Sequence, residues 1–309
     1  MTARSPKPNL FIVGAMKCGT TAWYEYLRSH PDIFMPDLKE PGYFALDLPK
    51  WRGIESEHEY SALFADSGPA GVIGEASAIY LMSNAAPHAI RNYNPAAKIL
   101  IFLREQEEYL PSLHNLNRLE FAEDISDFEA AWGLSGRRSL ETIPAGVEPK
   151  VLDYVEMGRF HEQVARYLKL FGPDQVRVFW YREWVADPRS TYLAILSFLG
   201  LEDDGRSEFP IVNRGVRFRA RWLVRTLYDP PKSVRKMARL LKRATGMQRQ
   251  TQDKLIEKTV RLFRTPGYRN EISPVLRDEI RRLYAEDNRR LNKLLTWADL
   301  SSAKSRGRG

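Results

Sequence analysis

A chain of 309 residues is long enough to bury a full hydrophobic core, and its one cysteine, Cys18, excludes a disulfide framework and a cysteine-rich zinc site. Hydrophobic residues make up 43% and charged residues 28%, the balance of a globular protein. Lys and Arg number 47 against 39 Asp and Glu, and the resulting +8 favours an anionic ligand or substrate.

Residues 1–9 read as a loose terminus. Leu10, Phe11, Ile12 and Val13 form a continuous apolar run, the pattern of a strand covered on both faces. The run stops at Lys17, far short of the ~20 apolar residues that span a bilayer. No A-x-A cleavage signal follows it, so the expected setting is cytoplasmic and reducing. A turn of small residues covers 14–19. Trp23, Tyr24 and Leu27 then recur at helical spacing before His30-Pro31 ends the helix. Further buried strands are expected near 72–73, at 99–103 and at 176–180. Residues 159–171 form the clearest helix, with Phe160, Val164, Tyr167, Leu168 and Phe171 on one face and Gly172-Pro173 as its stop. Strands alternating with helices predict an α/β fold with a mostly parallel sheet flanked by helices. From about 213 the composition turns basic and a helical C-terminal extension is expected. Ser273-Pro274 opens a last helix carrying Leu276, Ile280, Leu283, Tyr284 and Leu291. Residues 301–309 read as a disordered basic tail. The whole is taken as one domain over 1–309, with its core at about 9–212.

The first turn carries the chemistry. Gly14-Ala15-Met16-Lys17-Cys18-Gly19-Thr20-Thr21 has the frame of a phosphate-binding loop, with two glycines four residues apart in the gap and hydroxyl residues opening a helix. In nucleoside-triphosphate enzymes lysine follows the second glycine; here Thr20 stands there and Lys17 lies inside the loop. Packing alone would account for a glycine turn, but not for a lysine in it followed by paired threonines.

Lys17-Cys18-Gly19-Thr20-Thr21, with Leu27-x-x-His30-Pro31 behind it, resembles the 5′-phosphosulfate loop of sulfotransferases that use 3′-phosphoadenosine 5′-phosphosulfate (PAPS), in particular bacterial and heparan-sulfate-type members. Lys39-Glu40-Pro41-x-Tyr43-Phe44 and Gly74-Glu75-Ala76-Ser77-x-x-Tyr80 resemble two later family segments. Arg104 ending a strand, with Ser112 eight residues on, resembles the 3′-phosphate site. Asn213 and Arg219 resemble a late loop that closes over the nucleotide. The resemblance implies a P-loop-like sulfotransferase fold, PAPS as donor with 3′,5′-bisphosphate product (PAP), and no metal. It implies donor contacts from Lys17, Cys18, Gly19, Thr20, Thr21, Arg104, Ser112, Asn213 and Arg219. It makes Lys17 the cation at the leaving oxygen and Glu40 the base that takes the acceptor proton, with Glu75 and Ser77 ordering the acceptor side. The acceptor would be a small molecule, lipid or carbohydrate. Ala76 stands where many glycosaminoglycan enzymes have lysine, and Glu105-Gln106 where many members have Asn-Pro; the first weakens a carry-over of a glycosaminoglycan substrate.

Several readings compete. His114 is a rival base, one turn or less from Ser112. Arg104 would serve structure alone if it only paired with Glu105 or Glu108, and Glu40 if it only paired with Lys39. Cys18, at a helix N-terminus beside lysine, is expected to have a lowered pKa. Trp23, Tyr43, Phe44 and Tyr80 are candidates for an acceptor pocket. A P-loop kinase is the alternative function, against which stands the lack of an acid ending the 99–103 strand. A nucleic-acid binder is the second, from the basic run after 213, which lacks interleaved aromatics.

Overall fold

The computed structural model describes residues 6–144, 146–210 and 272–306, together with the backbones of 216–218 and 264–266. Five parallel strands make the central sheet: β1 (Leu10–Gly14), β2 (Ile33–Phe34), β3 (Val72–Ala76), β4 (Lys98–Leu103) and β5 (Val176–Trp180). Their order is β2-β3-β1-β4-β5. Every residue of β1 and β3 is buried, which is why neither alternates polar with apolar. Leu10 stands opposite Gly74 on one side and Lys98 on the other, so β1 is the middle strand.

The chain leaves β1 toward β3, then crosses back to β4. Neighbouring connections therefore diverge at the C-terminal end of β1, the place where open α/β sheets leave a crevice for ligands. Helix α1 (Thr20–Arg28) starts at that end. In chain order follow α2 (Glu57–Ala62), the 3-10 turn Ala78–Tyr80, α3 (Ala86–Tyr93), α4 (Gln106–Leu119), α5 (Phe128–Trp132), α6 (Tyr154–Met157), α7 (Phe160–Phe171), α8 (Tyr181–Ala186) and α9 (Pro188–Leu199). The five apolar residues expected on one face of α7 are all buried, and Gly172 stops it at φ 77°.

Strands β1, β3, β4 and β5, the first helix and α7 lie where the sequence placed them, within a residue or two, although β3 runs on to Ala76; β2 was not foreseen. Two expectations fail. The tail was read as disordered from 301, but α10 (Pro274–Arg306) continues into it as far as 306, where Ser302 is buried and accepts a 2.9 Å hydrogen bond from Arg177. The extension is also not wholly helical: β6 (Val216–Phe218) and β7 (Arg264–Pro266) pair antiparallel. Ser273 caps α10, its hydroxyl accepting from the Leu276 N–H at 3.1 Å. No helix among the described residues is long and apolar enough to cross a membrane.

Candidate active site

The loop from β1 to α1 is shaped by two left-handed residues, Lys17 at φ 63° and Gly19 at φ 92°. Gly19 also sits against Trp184: a Cβ added there would lie 2.2 Å from the indole Cζ2. That ring is fixed in turn, donating from Nε1 to the Cys18 carbonyl at 3.4 Å and meeting Trp23 edge-on at 5.7 Å. Glycine is thus required twice over, by conformation and by space.

Helix α1 has no side-chain cap and no acidic residue in its first turn. Its first N–H groups are left for another acceptor, and the positive end of its dipole faces the loop. Thr20 is buried there and Thr21 half-buried. Lys17 stands beside this end, its ammonium held below the usual lysine range by burial; the Arg104 charge acts the same way, and Glu120 opposes it. An uncapped helix start, two threonines and a desolvated lysine make a site fitted to a dianionic phosphate. Cys18 does not behave as expected. Its side chain is fully buried, and burial pushes the thiol well above the usual cysteine range rather than lowering it. Its N–H donates to the Ala15 carbonyl at 3.3 Å and its carbonyl accepts from Trp184, so Cys18 shapes the loop.

Arg104 follows β4 directly. Its Nε and Nη2 donate to one Glu108 oxygen at 3.1 and 2.8 Å, and its guanidinium lies 4.4 Å from the Tyr181 ring centre. The pairing with Glu108 that would make it structural is therefore present. It also aims the fork across α4, where Glu108 and Ser112, four residues apart, share a helix face. Arg104 is close enough for its charge to act on the Lys17 ammonium, so the two cations converge on one region.

Glu40 reaches the same edge from the β2 side. Its N–H donates to the Ala76 carbonyl at 2.9 Å, and its carboxylate accepts from the Ala78 N–H at 2.6 Å and pairs with Lys39. Glu40 holds a left-handed backbone, φ 61°, which a residue with a side chain adopts at a cost. The Lys39 pairing exists, yet the bond to Ala78 fixes the carboxylate where β3 ends.

Sequence reasoning missed Glu120, just past the end of α4. Glu120 is an exposed residue, but desolvation of its carboxyl pushes it up to about 7, with Lys17 drawing it down and Glu40 pushing it up, so it lies within reach of both charges. Nothing in its spacing marks it, since only the fold of α4 over the loop brings residue 120 to residue 17. Tyr181, stacked on Arg104, was missed for the same reason.

Other expectations are corrected. His114 is fully buried, bonded through Nε2 to the Ile125 carbonyl region at 3.0 Å and packed on Phe128 and Tyr154. Burial lowers its pKa, and it serves the core rather than proton transfer. His30 is structural as well: its Nδ1 accepts from Asp32 N–H at 3.1 Å. Trp23, Phe44 and Tyr80 are buried in the core and line no acceptor pocket; Tyr43 alone of the four is partly exposed, stacked on Tyr60 at 4.3 Å. Glu75 and Ser77 are buried beneath the Glu40 segment, not open to an acceptor. Asn213 and Arg219 lie outside the described residues. A separate cavity of about 470 Å³, lined by Asn84, Lys150, Asp153, Arg159 and Arg166 among others, contains none of the loop residues.

Residues 7–213 match the sulfotransferase domain family. The mouse heparan sulfate glucosamine 3-O-sulfotransferase 3B1 is 24% identical over 199 residues, covering 63% of this chain and 46% of that protein. The membrane-associated sulfotransferase kil1 of Dictyostelium discoideum is 32% identical over 108 residues, 35% of this chain and 22% of the relative. This chain thus spans about half the length, or less, of the curated relatives it matches. A crystal structure of a sulfotransferase from Alicyclobacillus acidocaldarius superposes with a TM-score of 0.68 at 25% identity, covering 94% of this chain and 96% of that one. The loop, the strand-ending arginine and the Glu40 segment all fall inside the matched region, and the chain belongs to the sulfotransferase domain family.

Proposed function

We propose that the chain transfers a sulfuryl group from PAPS to a hydroxyl or amine of a small-molecule, lipid or carbohydrate acceptor. The observation that carries the reading is the convergence, at one edge of the sheet, of an uncapped helix start, two cations and a fixed carboxylate. The mouse relative's name, a glucosamine O-sulfotransferase, supports a hydroxyl acceptor.

Backbone N–H groups of residues 19–21 and the Thr20 and Thr21 hydroxyls would hold the 5′-phosphate. Arg104 would take the 3′-phosphate with its fork, helped by Ser112. When bound, PAPS supplies an activated sulfuryl group whose bridging oxygen gains charge as it departs. Lys17, already desolvated, is the cation placed to meet that charge. Glu40 takes the acceptor proton as its oxygen attacks. The Ala78 N–H holds one of its oxygens, and the other, paired with Lys39, is the one that must be released to the acceptor. The kinase alternative needs an acid beside β1 to seat magnesium. Glu75 occupies that neighbouring strand, but its oxygens are taken by three hydroxyls.

The test is differential stabilisation. PAP should raise the melting temperature more than ADP or ATP–Mg²⁺, since binding contributes RT ln(1 + [L]/Kd). A larger shift with ATP–Mg²⁺ would overturn the proposal in favour of a kinase. Incubation with ³⁵S-labelled PAPS and hydroxyl acceptors such as p-nitrophenol and N-acetylglucosamine then reads transfer.

A further inference from the structure

Glu75 is a fully buried carboxylate on β3, and no lysine or arginine among the described residues forms a salt bridge with it. Its oxygens instead collect three hydroxyls. Ser77 Oγ donates to Oε1 at 2.6 Å, Tyr80 OH to Oε2 at 2.9 Å, and Tyr60 OH to Oε2 at 3.2 Å. A hydroxyl has one proton to give. Once Ser77 has spent its proton on Glu75, its oxygen can only accept, and it accepts from the Gly42 N–H at 3.0 Å. Tyr80 is in the same position: its phenol oxygen accepts from the Phe44 N–H at 3.3 Å. An ionised carboxylate, an acceptor only, thereby fixes the direction of two relays that end on the backbone two and four residues past Glu40.

Those relay ends matter because Glu40 sits in a conformation it would otherwise leave. Its left-handed backbone is held on one side by its bonds to Ala76 and Ala78 and on the other by the anchoring of Gly42 and Phe44. We propose that Glu75 is a positioning residue for the reaction, a buried charge that polarises Ser77 and Tyr80 so that they hold the 40–44 segment with Glu40 aimed at the acceptor. The inference rests on Glu40 being the base. Protonating Glu75 would turn one of its acceptor oxygens into a donor, leaving one hydroxyl without an acceptor and free to turn. The groups facing it are Tyr60 on α2, Tyr80 in the turn after β3, Tyr167 on α7 and Glu40 itself. Burial pushes Glu75 up to about 7, so this loss of polarity falls within an accessible pH range.

Glu75→Gln tests the idea, because the amide keeps the volume but presents a donor to at least one hydroxyl. The expected result is a kcat lower by roughly ten- to a hundredfold at pH 8, read by ³⁵S transfer or, without an acceptor, by PAPS hydrolysis. PAP affinity should stay within threefold, and the acid limb near pH 7 should shrink to the part that Glu120 sets. Ser77→Ala and Tyr80→Phe should each lower kcat while keeping that limb, because Glu75 still titrates in them. Hydrogen exchange at the Gly42 and Phe44 amides should rise in Glu75→Gln whatever the acceptor. If Glu75→Gln does not fold, the Ser77 and Tyr80 variants decide the matter by the same readings. Unchanged kcat and unchanged exchange in these variants would overturn the proposal while Glu40→Gln remained inactive. An active Glu40→Gln would instead remove the base reading on which the inference stands.

Discussion

Gly19→Ala tests the donor loop most sharply, because the structure separates its two costs. At φ 92° an alanine carries the left-handed penalty, about 1–2 kcal/mol. Its Cβ would also fall 2.2 Å from Trp184 Cζ2, a ring held by Trp23, Tyr181 and the Cys18 carbonyl. Overpacking against such a ring adds about 1–3 kcal/mol, for a total of ~2–5 kcal/mol. Gly68→Ala is the control: φ is +55° but nothing lies within 4 Å, so only the conformational part, ~1–2 kcal/mol, applies. Urea denaturation of both variants should show the larger loss at Gly19. PAP affinity should fall at least tenfold at Gly19 and not at all at Gly68. In a Trp184→Leu background the clash has no partner, so Gly19→Ala should cost little more than Gly68→Ala. Equal losses for the two glycines in wild-type background, or a Gly19→Ala variant binding PAP normally, would refute the account of the loop.

Other outcomes follow from single groups. Glu40→Gln should cut transfer by ~10²-fold or more with PAP affinity within threefold, measured by ³⁵S transfer and calorimetry. Arg104→Ala should remove most of the preference for PAP over adenosine 5′-monophosphate, since a forked charge-assisted contact contributes about 1.5–3 kcal/mol. Cys18 should resist iodoacetamide in the native protein with or without PAP and react only on denaturation, because it is buried with its thiol pKa raised. Glu75 sets a pH slope in stability. Its folded pKa, about 7, lies above the ordinary 4.5, so between those values the folded chain holds a proton the unfolded chain has lost. Stability from this group is therefore fully present below pH 4.5 and lost as pH rises toward 7, and Glu75→Gln should flatten that decline in denaturation midpoints.

The strand-loop-helix opening was legible because its signals are local: an apolar run, two glycines, a lysine between them. Arg104 was legible for a similar reason, as a charge at the end of a run too apolar to be anything but a buried strand. What escaped depends on tertiary contact. His114 stood as a rival base from its nearness to Ser112, with a structural role the plainer reading, and its surroundings, set by Ile125, Phe128 and Tyr154, decide for structure. Glu120 showed no local signal, since its neighbours Lys17 and Glu40 lie about a hundred residues back in the chain. β2 is two residues long and no periodicity can register it. The basic composition of the tail concealed Ser302, whose burial extends α10.

Lys17 and Glu40 share one further property: both are non-glycine residues in left-handed backbone. Judged on backbone conformation alone, glycine would be favoured at 17 and 40 by about 1 kcal/mol or more each, although at 40 it would give up the bond from the Ala78 N–H. The chain keeps a long charged side chain at both, one on each side of the crevice. Selection for thermal tolerance, or a stabilising redesign that scores only the backbone, would therefore drift toward glycine at these two places. Such a lineage would lose its cation and its carboxylate together, so any library built on this scaffold should hold both positions fixed.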